Sequence, residues 1–164
     1  MKIKKGFTLV EVIVALAVAA LLLPALGKLF TFALNTSSQG DKYSRAYAMS
    51  QEGIEAIYYI KENRSDIWDW DTTPDETAAD EYYQVVKSAG IWGFDGGKKT
   101  EDQLTSEDGF IRSIQIFLIP RDVEGNINSG STMDPYTRKV VSKVTWVDAN
   151  GPEEVSISSY VTKH

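Results

Sequence analysis

The chain has 164 residues, with 17 basic residues against 23 acidic ones and a formal net charge of −6. It contains no cysteine, which excludes disulfides, thiol nucleophiles and cysteine-ligated metals, and its only histidine is the terminal His164. Without the three lysines of the first six residues the balance becomes 14 basic against 23 acidic residues, or −9. An acidic body disfavours binding to phosphate backbones, so the sequence predicts no nucleic-acid partner.

The first element of the chain is a stretch from Phe7 to Leu26 that is apolar apart from Thr8 and Glu11. About 20 apolar residues are enough to cross a bilayer as a helix. Because the apolar character continues to Leu34, we predict a transmembrane helix over residues 7–34. Basic residues precede this stretch and few follow it, which predicts a cytoplasmic N-terminus and an extracytoplasmic body; the basic residues are Lys2, Lys4 and Lys5.

Two ordinary explanations of this stretch leave Glu11 without a purpose. A secretory signal peptide has a shorter apolar region and a small-residue cleavage site, and no convincing site of that kind is present. A plain single-pass anchor has no need of an acid, since an ionised carboxylate in hydrocarbon costs roughly a few kcal/mol or more. Either something uses the charge of Glu11, or this segment is not a membrane helix.

The residues "KKGFTLVEVIVAL" resemble the processing site of type IV prepilins and the related pseudopilins. The resemblance implies that a prepilin peptidase removes the basic leader, residues 1–6, by cleaving between Gly6 and Phe7, and that Phe7 is then N-methylated. It also implies a charge pair in assembly, between Glu11 of one subunit and the new Phe7 amine of a neighbour. In a low-dielectric helix bundle such a pair would fix the axial register, which we treat as a hypothesis.

Beyond a polar, turn-like stretch, helical spacing returns and ends near Asn63. This predicts an amphipathic helix that either continues the membrane helix or is separated from it by a bend at Gly40. We predict that one apolar stripe packs on a sheet; its members are Tyr43, Tyr47, Ile54, Ile57 and Tyr58.

Residues 66–81 form an acidic and aromatic segment, broken by Pro74. Its aspartates invite comparison with a calcium loop; they are Asp69, Asp71 and Asp75. Thr73 and Pro74, however, occupy places where that loop needs an oxygen-rich side chain and a glycine. We predict a solvated loop with Trp68 and Trp70 against the domain, and the sequence leaves calcium binding open.

A second glycine-rich segment, "SAGIWGFDGGKKTEDQ", is predicted to be a loop. It has neither of the glycine spacings that hold phosphates in nucleotide-binding proteins. We therefore predict no cofactor, and apart from the open question of calcium at residues 66–81 we predict no metal site.

The last third of the chain alternates between apolar and polar residues, in "GFIRSIQIFLIPRD", "YTRKVVSKVTWVD" and "EEVSISSYVTKH". This pattern predicts three antiparallel strands, with Val140, Ser142, Val144 and Trp146 on one face of the second. Asn150-Gly151 indicates a hairpin turn. The predicted fold is α+β, with a long N-terminal helix packed on a C-terminal antiparallel sheet, and the predicted globular domain covers residues 35–164. This order resembles the pilin architecture.

The helix pattern A-x-x-x-E-G-x-E, from Ala48 to Glu55, and the strand ending in tryptophan are similar to minor pilins. The similarity is to the group known as type IV pilus modification proteins and to the related minor subunit of secretion systems. It implies a non-catalytic, minor subunit of a type IV pilus-like filament. Its partners would be a prepilin peptidase and methyltransferase, other pilin subunits and the cytoplasmic membrane, where the subunit waits before it enters the pilus.

Two alternatives stay open at this point. A minor pseudopilin of a type II secretion or DNA-uptake machine would have the same N-terminus, and the sequence does not separate it from a pilus subunit. A membrane-anchored enzyme could use the carboxylates of Asp69, Asp71 or Asp75, but no pair is placed as glycoside hydrolysis requires. We predict that the protein is not an enzyme.

Overall fold

A computed structural model describes residues 8–69, 76–122, 124, 126–127, 132–148 and 151–163. One long helix, α1 (Leu9–Asn63), is followed by two short strands, β1 (Val85–Ser88) and β2 (Ile91–Phe94). A single 3₁₀ turn (Glu101–Gln103) leads to four further strands: β3 (Ser106–Glu107), β4 (Phe110–Arg121), β5 (Thr132–Asp148) and β6 (Gly151–Thr162). The predicted α+β fold, with a long N-terminal helix on antiparallel strands, is confirmed.

Helix α1 continues without interruption through Pro24 and Gly40. The predicted continuity with the membrane helix and the predicted end near Asn63 are confirmed, whereas a bend at Gly40 stays a prediction. Glycine inside a helix costs only about 1 kcal/mol, which long flanking helical segments can tolerate. Internal contacts divide the chain into two units, unit 1 (Met1–Lys42) and unit 2 (Tyr43–His164). The predicted domain boundary between residues 34 and 35 is not tested by this division.

The main sheet of unit 2 has the order β3-β4-β5-β6, with all neighbours antiparallel. All three predicted strands are present, and β5 begins at Thr132 rather than at Tyr136. The pairing of β4 with β5 shifts register between Leu118 and Ile119. Gly151 is the first residue of β6 and pairs with Asp148, so the predicted hairpin of β5 and β6 is confirmed, whereas Asn150 lies outside the described residues.

The strand face predicted for β5 is confirmed, because its four members are all buried: Val140, Ser142, Val144 and Trp146. Val140, Val144 and Trp146 belong to two apolar clusters between α1 and the sheet. Ile57 and Ile60 from the helix and Ile114 and Ile116 from β4 are fully enclosed. Trp68 is buried as predicted, whereas Trp70 lies outside the described residues.

The stripe predicted for α1 packs on the sheet in most of its members, although its tyrosines stay largely exposed. Ile54 packs against the core, the Tyr43 ring lies 4.9 Å from the Trp146 ring of β5, and the Tyr58 hydroxyl donates to the Tyr160 carbonyl of β6. Within unit 2, Tyr43, Tyr47 and Tyr58 are exposed, and of the predicted stripe only Ile57 is fully buried. The helix buries a face of mostly small residues, which are Ala46, Met49, Ser50, Gly53, Ala56, Ile57 and Ile60. Small side chains let the backbone approach the sheet closely: a Cβ added at Gly53 would clash with Ser142 Oγ and lie 3.1 Å from Ile114 Cδ1.

The glycine-rich segment predicted to be a loop contains a hairpin instead, formed by β1 and β2. Its two central residues, Ala89 and Gly90, have φ angles of 50° and 85°. Positive φ at both positions matches the right-handed twist of the paired strands. The segments "VVKS" and "IWGF" on either side of this turn could have indicated two strands. The abundance of glycine in this part of the sequence favoured a loop instead.

Candidate functional site

Unit 1 presents an apolar helical surface along its described length. Its large apolar side chains are at least 47% exposed, and they include Leu9, Val10, Val12, Ile13, Val14, Leu16, Val18, Leu21, Leu22, Leu23, Leu26, Leu29, Phe30, Phe32 and Leu34. The apolar stretch of α1 is long enough to cross a membrane, and none of it is buried within the chain. Burial of this surface therefore needs something outside the chain.

Glu11 lies in the first turn of α1, where its carboxylate closes a capping box with Thr8. The backbone N–H of Thr8 donates to Glu11 Oε2 at 2.8 Å, and the Thr8 hydroxyl donates to the same oxygen at 2.9 Å. In return, the backbone N–H of Glu11 donates to Thr8 Oγ1 at 3.3 Å. Two N–H groups that a helix start leaves unpaired are thereby satisfied.

This capping box is a use of Glu11 that our sequence analysis missed. The signal was present, because Thr8 and Glu11 have the T-x-x-E spacing of a capping box immediately before an apolar run. A negative charge at a helix N-terminus is also stabilised by the helix dipole. The cost of placing an acid next to hydrocarbon is therefore partly offset within one chain.

The two residues predicted for processing, Gly6 and Phe7, lie outside the described residues. The structure therefore brings Glu11 together with Thr8, the residue that follows Phe7, and does not test a pair between Glu11 and the Phe7 amine. That pair, the cleavage and the methylation stay predictions.

The hydroxyl groups deeper in the apolar helix are satisfied locally. Thr31 donates to the carbonyl of Gly27 at 2.7 Å, and Thr36 donates to the carbonyl of Phe32 at 3.0 Å. Such bonds to the preceding turn leave no hydroxyl in need of water, which is what a bilayer requires.

A family model described as a prokaryotic N-terminal methylation motif matches residues 1–23. The chain carries this methylation motif. The match contains Gly6, Phe7 and Glu11, and it supports the resemblance to type IV prepilins and pseudopilins. No curated protein and no solved structure matches the chain. The methylation motif therefore reaches into the N-terminal part of α1. For unit 2, no similarity to a known protein indicates a function.

The acidic segment offers no rival site within the part of the chain that the structure describes. There, no group of three acidic or histidine side chains is placed to hold a metal ion. Asp71 and Asp75 lie outside the described residues, so the calcium question posed by this segment is not tested. The methylation motif and the exposed helix behind it form the candidate site.

Proposed function

We propose that the protein is a non-catalytic, minor subunit of a type IV pilus-like filament. One observation carries the proposal: the methylation motif lies at the start of an apolar helix whose side chains are exposed along unit 1. A helix of this kind becomes stable only when lipid or neighbouring helices cover it. The motif supports a pilin-like or pseudopilin subunit, and the choice of a pilus over a secretion or DNA-uptake machine is our prediction.

In this proposal, residues 1–6 are a leader, residues 7–34 form the membrane and polymerisation helix, and residues 35–164 form the extracytoplasmic domain. The helix and the motif are consistent with anchoring in the inner membrane. The lysines of the leader favour a cytoplasmic N-terminus, where a prepilin peptidase and methyltransferase would act. The motif supports a structural subunit rather than an enzyme.

Replacing Gly6 by leucine tests the processing step. We expect this variant to keep its leader, because a bulky side chain would sit at the bond that the peptidase cleaves. Intact mass measurement of the protein extracted from membranes would show a precursor that begins at Met1, whereas the unchanged protein begins at Phe7 and carries one methyl group. Gly40→Leu is the matched control, since nothing lies within 4 Å of a Cβ at Gly40. A mature Gly6→Leu protein would contradict the proposal.

Glu11 can be tested for its two uses separately. Glutamine can accept the hydrogen bond from the Thr8 N–H but carries no charge, whereas alanine can do neither. If the charge pairs with a Phe7 amine, both Glu11→Gln and Glu11→Ala will be processed normally and yet fail to enter sheared filaments. Glu55→Gln, on the exposed side of α1 in unit 2, controls for the loss of one charge. Normal incorporation of Glu11→Gln would show that capping is sufficient and that the charge pair is wrong.

A further inference from the structure

Unit 2 contains a polar cavity of about 440 Å³ between α1, the β1–β2 hairpin and the start of β3. Its walls carry two cations and two acids around one aromatic ring: Glu52, Lys87, Trp92, Glu107 and Arg112. Neither the methylation motif nor the exposed helix of unit 1 involves these residues. The cavity is therefore a separate feature of the fold.

Arg112 is the unusual group of this cavity. Its side chain is only 8% exposed, and one end of its guanidinium is occupied, because Nη1 donates to Glu52 Oε2 at 2.8 Å and to the Met49 carbonyl at 3.4 Å. Its Nε is buried and has no hydrogen-bond partner within the part of the chain that the structure describes. Nη2 likewise has no partner among the residues that the structure describes. A buried donor without a partner costs about 1–3 kcal/mol, more for a charged group.

The two unpaired donors, Nε and Nη2, form one edge of the guanidinium plane. Arginine uses such a fork to bind both oxygens of a planar carboxylate in parallel, with two charge-assisted hydrogen bonds. The Nε–Nη2 edge of Arg112 therefore fits a planar acceptor with two oxygens. A single carboxylate would satisfy the buried Nε.

A second cation is placed to assist. Lys87 Nζ lies 5.2 Å from the centroid of the Trp92 ring, and Arg112 Cζ lies 5.4 Å from the same centroid. Both cations therefore contact one aromatic ring. Lys87 has no carboxylate partner among the described residues, so its charge is available to a ligand of the cavity.

The acids in the wall limit the charge that the ligand can carry. Glu52 is neutralised by Arg112, but Glu107 stands at the cavity without a cation among the described residues. A ligand with several negative charges, such as a phosphate or a nucleic acid, would meet this carboxylate and be repelled. A ligand with one negative charge is matched by the Lys87 ammonium, which has no carboxylate partner among the described residues.

One wall of the cavity is held rigidly by Gln84. Its amide donates to the Thr105 carbonyl at 2.7 Å, and its oxygen accepts from the Thr105 N–H at 3.1 Å and the Thr105 hydroxyl at 2.7 Å. This network ties the segment before β1 to the segment before β3. A binding site supported by such a network loses little entropy when a ligand enters.

We propose that this cavity binds one carboxylate, held by the Nε–Nη2 edge of Arg112 and by the Lys87 ammonium beside Trp92. The carboxylate could belong to an acidic side chain of another polypeptide or to a free small acid, and both present the same group. This site does not depend on the filament role proposed above.

Titration of the isotope-labelled full-length chain in detergent micelles tests the site. The Trp92 indole N–H and the Arg112 Nε–H would be followed by NMR while sodium acetate is added, with acetamide as the neutral isostere and sodium chloride as the salt control. We expect a saturable shift with acetate alone. N-acetylglutamate N-methylamide, whose carboxylate is on a peptide, separates the sources: tighter binding than acetate indicates a polypeptide, and equal binding indicates a free acid.

Three variants complete the experiment. Arg112→Lys keeps the charge but removes the fork, so acetate should bind at least about tenfold more weakly. Lys87→Gln, at an exposed position that cannot disturb the core, should weaken binding about threefold. Lys139→Gln on β5, outside the cavity, should change nothing. The proposal is overturned if acetate shifts the signals no more than chloride does, or if Arg112→Lys and Lys87→Gln both bind acetate as tightly as the unchanged chain.

Discussion

Units 1 and 2 use similar apolar residues in opposite ways. In unit 1 leucine and valine side chains point outward along α1, whereas in unit 2 the isoleucines of α1 and β4 are enclosed between helix and sheet. The difference follows from the sequence pattern, because residues 12–27 contain no charged side chain while the strands of unit 2 alternate. The comparison teaches that unit 2 buries its apolar side chains within the chain, whereas those of unit 1 can be buried only by lipid or by other helices.

The polar groups of the two units differ in the same manner. In unit 1 the side-chain hydrogen bonds of Thr8, Glu11, Thr31 and Thr36 each stay within about one helical turn. In unit 2 some side-chain bonds join distant segments: Ser50 Oγ donates to the Ser142 carbonyl at 2.8 Å, and the Tyr58 hydroxyl donates to the Tyr160 carbonyl at 3.0 Å. A change in unit 2 should therefore disturb the fold of that unit, while a change in unit 1 should disturb partners.

The largest expected effect comes from emptying the core of unit 2. Ile57→Ala removes a fully buried side chain and should lower the free energy of unfolding by about 2–5 kcal/mol. Leu22→Ala, its control in unit 1, removes an exposed side chain and should leave unit 2 unchanged. All four tryptophans belong to unit 2, so their fluorescence during urea unfolding in detergent measures this unit alone. Equal losses in the two variants would break the comparison between the units.

Two glycines of the same helix sharpen the comparison. Gly53→Ala places a Cβ against Ser142 and Ile114, so we expect a loss of about 1–3 kcal/mol in the free energy of unfolding. Gly40→Ala meets no atom within 4 Å, and its higher helix propensity should cost nothing and could add up to about 1 kcal/mol. Urea unfolding followed by tryptophan fluorescence measures the first, and helix content by circular dichroism measures the second. A tolerated Gly53→Ala would show that the helix does not need its close approach to the sheet.

Gly53 also shows where sequence reasoning failed. We predicted that a stripe of tyrosines and isoleucines packs on the sheet because these residues share one helical face. Ile57 is buried there, but the face is completed by the small residues Ala46, Ser50, Gly53 and Ala56, and Tyr58 contacts the sheet through its hydroxyl. Which face a helix buries is decided by the distance to its partner, and a single helical pattern does not contain that distance.

The strands were easier to predict than the helix face. Alternation in β5 correctly placed Val140 and Val144 on the buried face, because a strand has only two faces to choose between. The β1–β2 hairpin was missed, since its turn uses Ala89-Gly90 rather than a familiar asparagine-glycine pair. For the candidate site, the motif around Glu11 was visible in the sequence, but its hydrogen bonds to Thr8 became evident only from the helix start.

A smaller effect concerns a charged cluster of unit 2 where β5 begins. The Asp134 carboxylate accepts three hydrogen bonds: from the Thr137 hydroxyl at 2.7 Å, from the Tyr136 N–H at 2.9 Å and from Arg121 Nε at 2.8 Å. Together these bonds hold the pKa of Asp134 below its usual range, and the bond from Thr137 has the largest effect. Because this pKa is lower in the folded chain than in the unfolded one, the ionised carboxylate stabilises unit 2 above pH 4. That stability is lost as the pH falls through the folded-state pKa.

Asp134→Asn is therefore expected to lower the free energy of unfolding by about 1–2 kcal/mol at pH 7 and to lose less stability than the unchanged chain below pH 4. Urea unfolding at a series of pH values between 7 and 2.5 would show the two curves converging. Parallel curves would mean that Asp134 does not link pH to the stability of unit 2.

The smallest expected effect tests the two tight turns of unit 2 against each other. The turn before β2 has Ala89 and Gly90 at φ 50° and 85°, and the turn before β4 has Asp108 and Gly109 at φ 51° and 85°. Alanine is disfavoured at positive φ, whereas asparagine and aspartate tolerate it through local hydrogen bonds. Ala89→Asn should therefore raise the free energy of unfolding by about 0.5–1 kcal/mol, and Asp108→Ala should lower it by a similar amount.

Urea unfolding measures both, with Ala89→Val as the control that must destabilise because a β-branched side chain fits this φ worst. If Ala89→Asn destabilises instead, the β1–β2 turn does not have the conformation described.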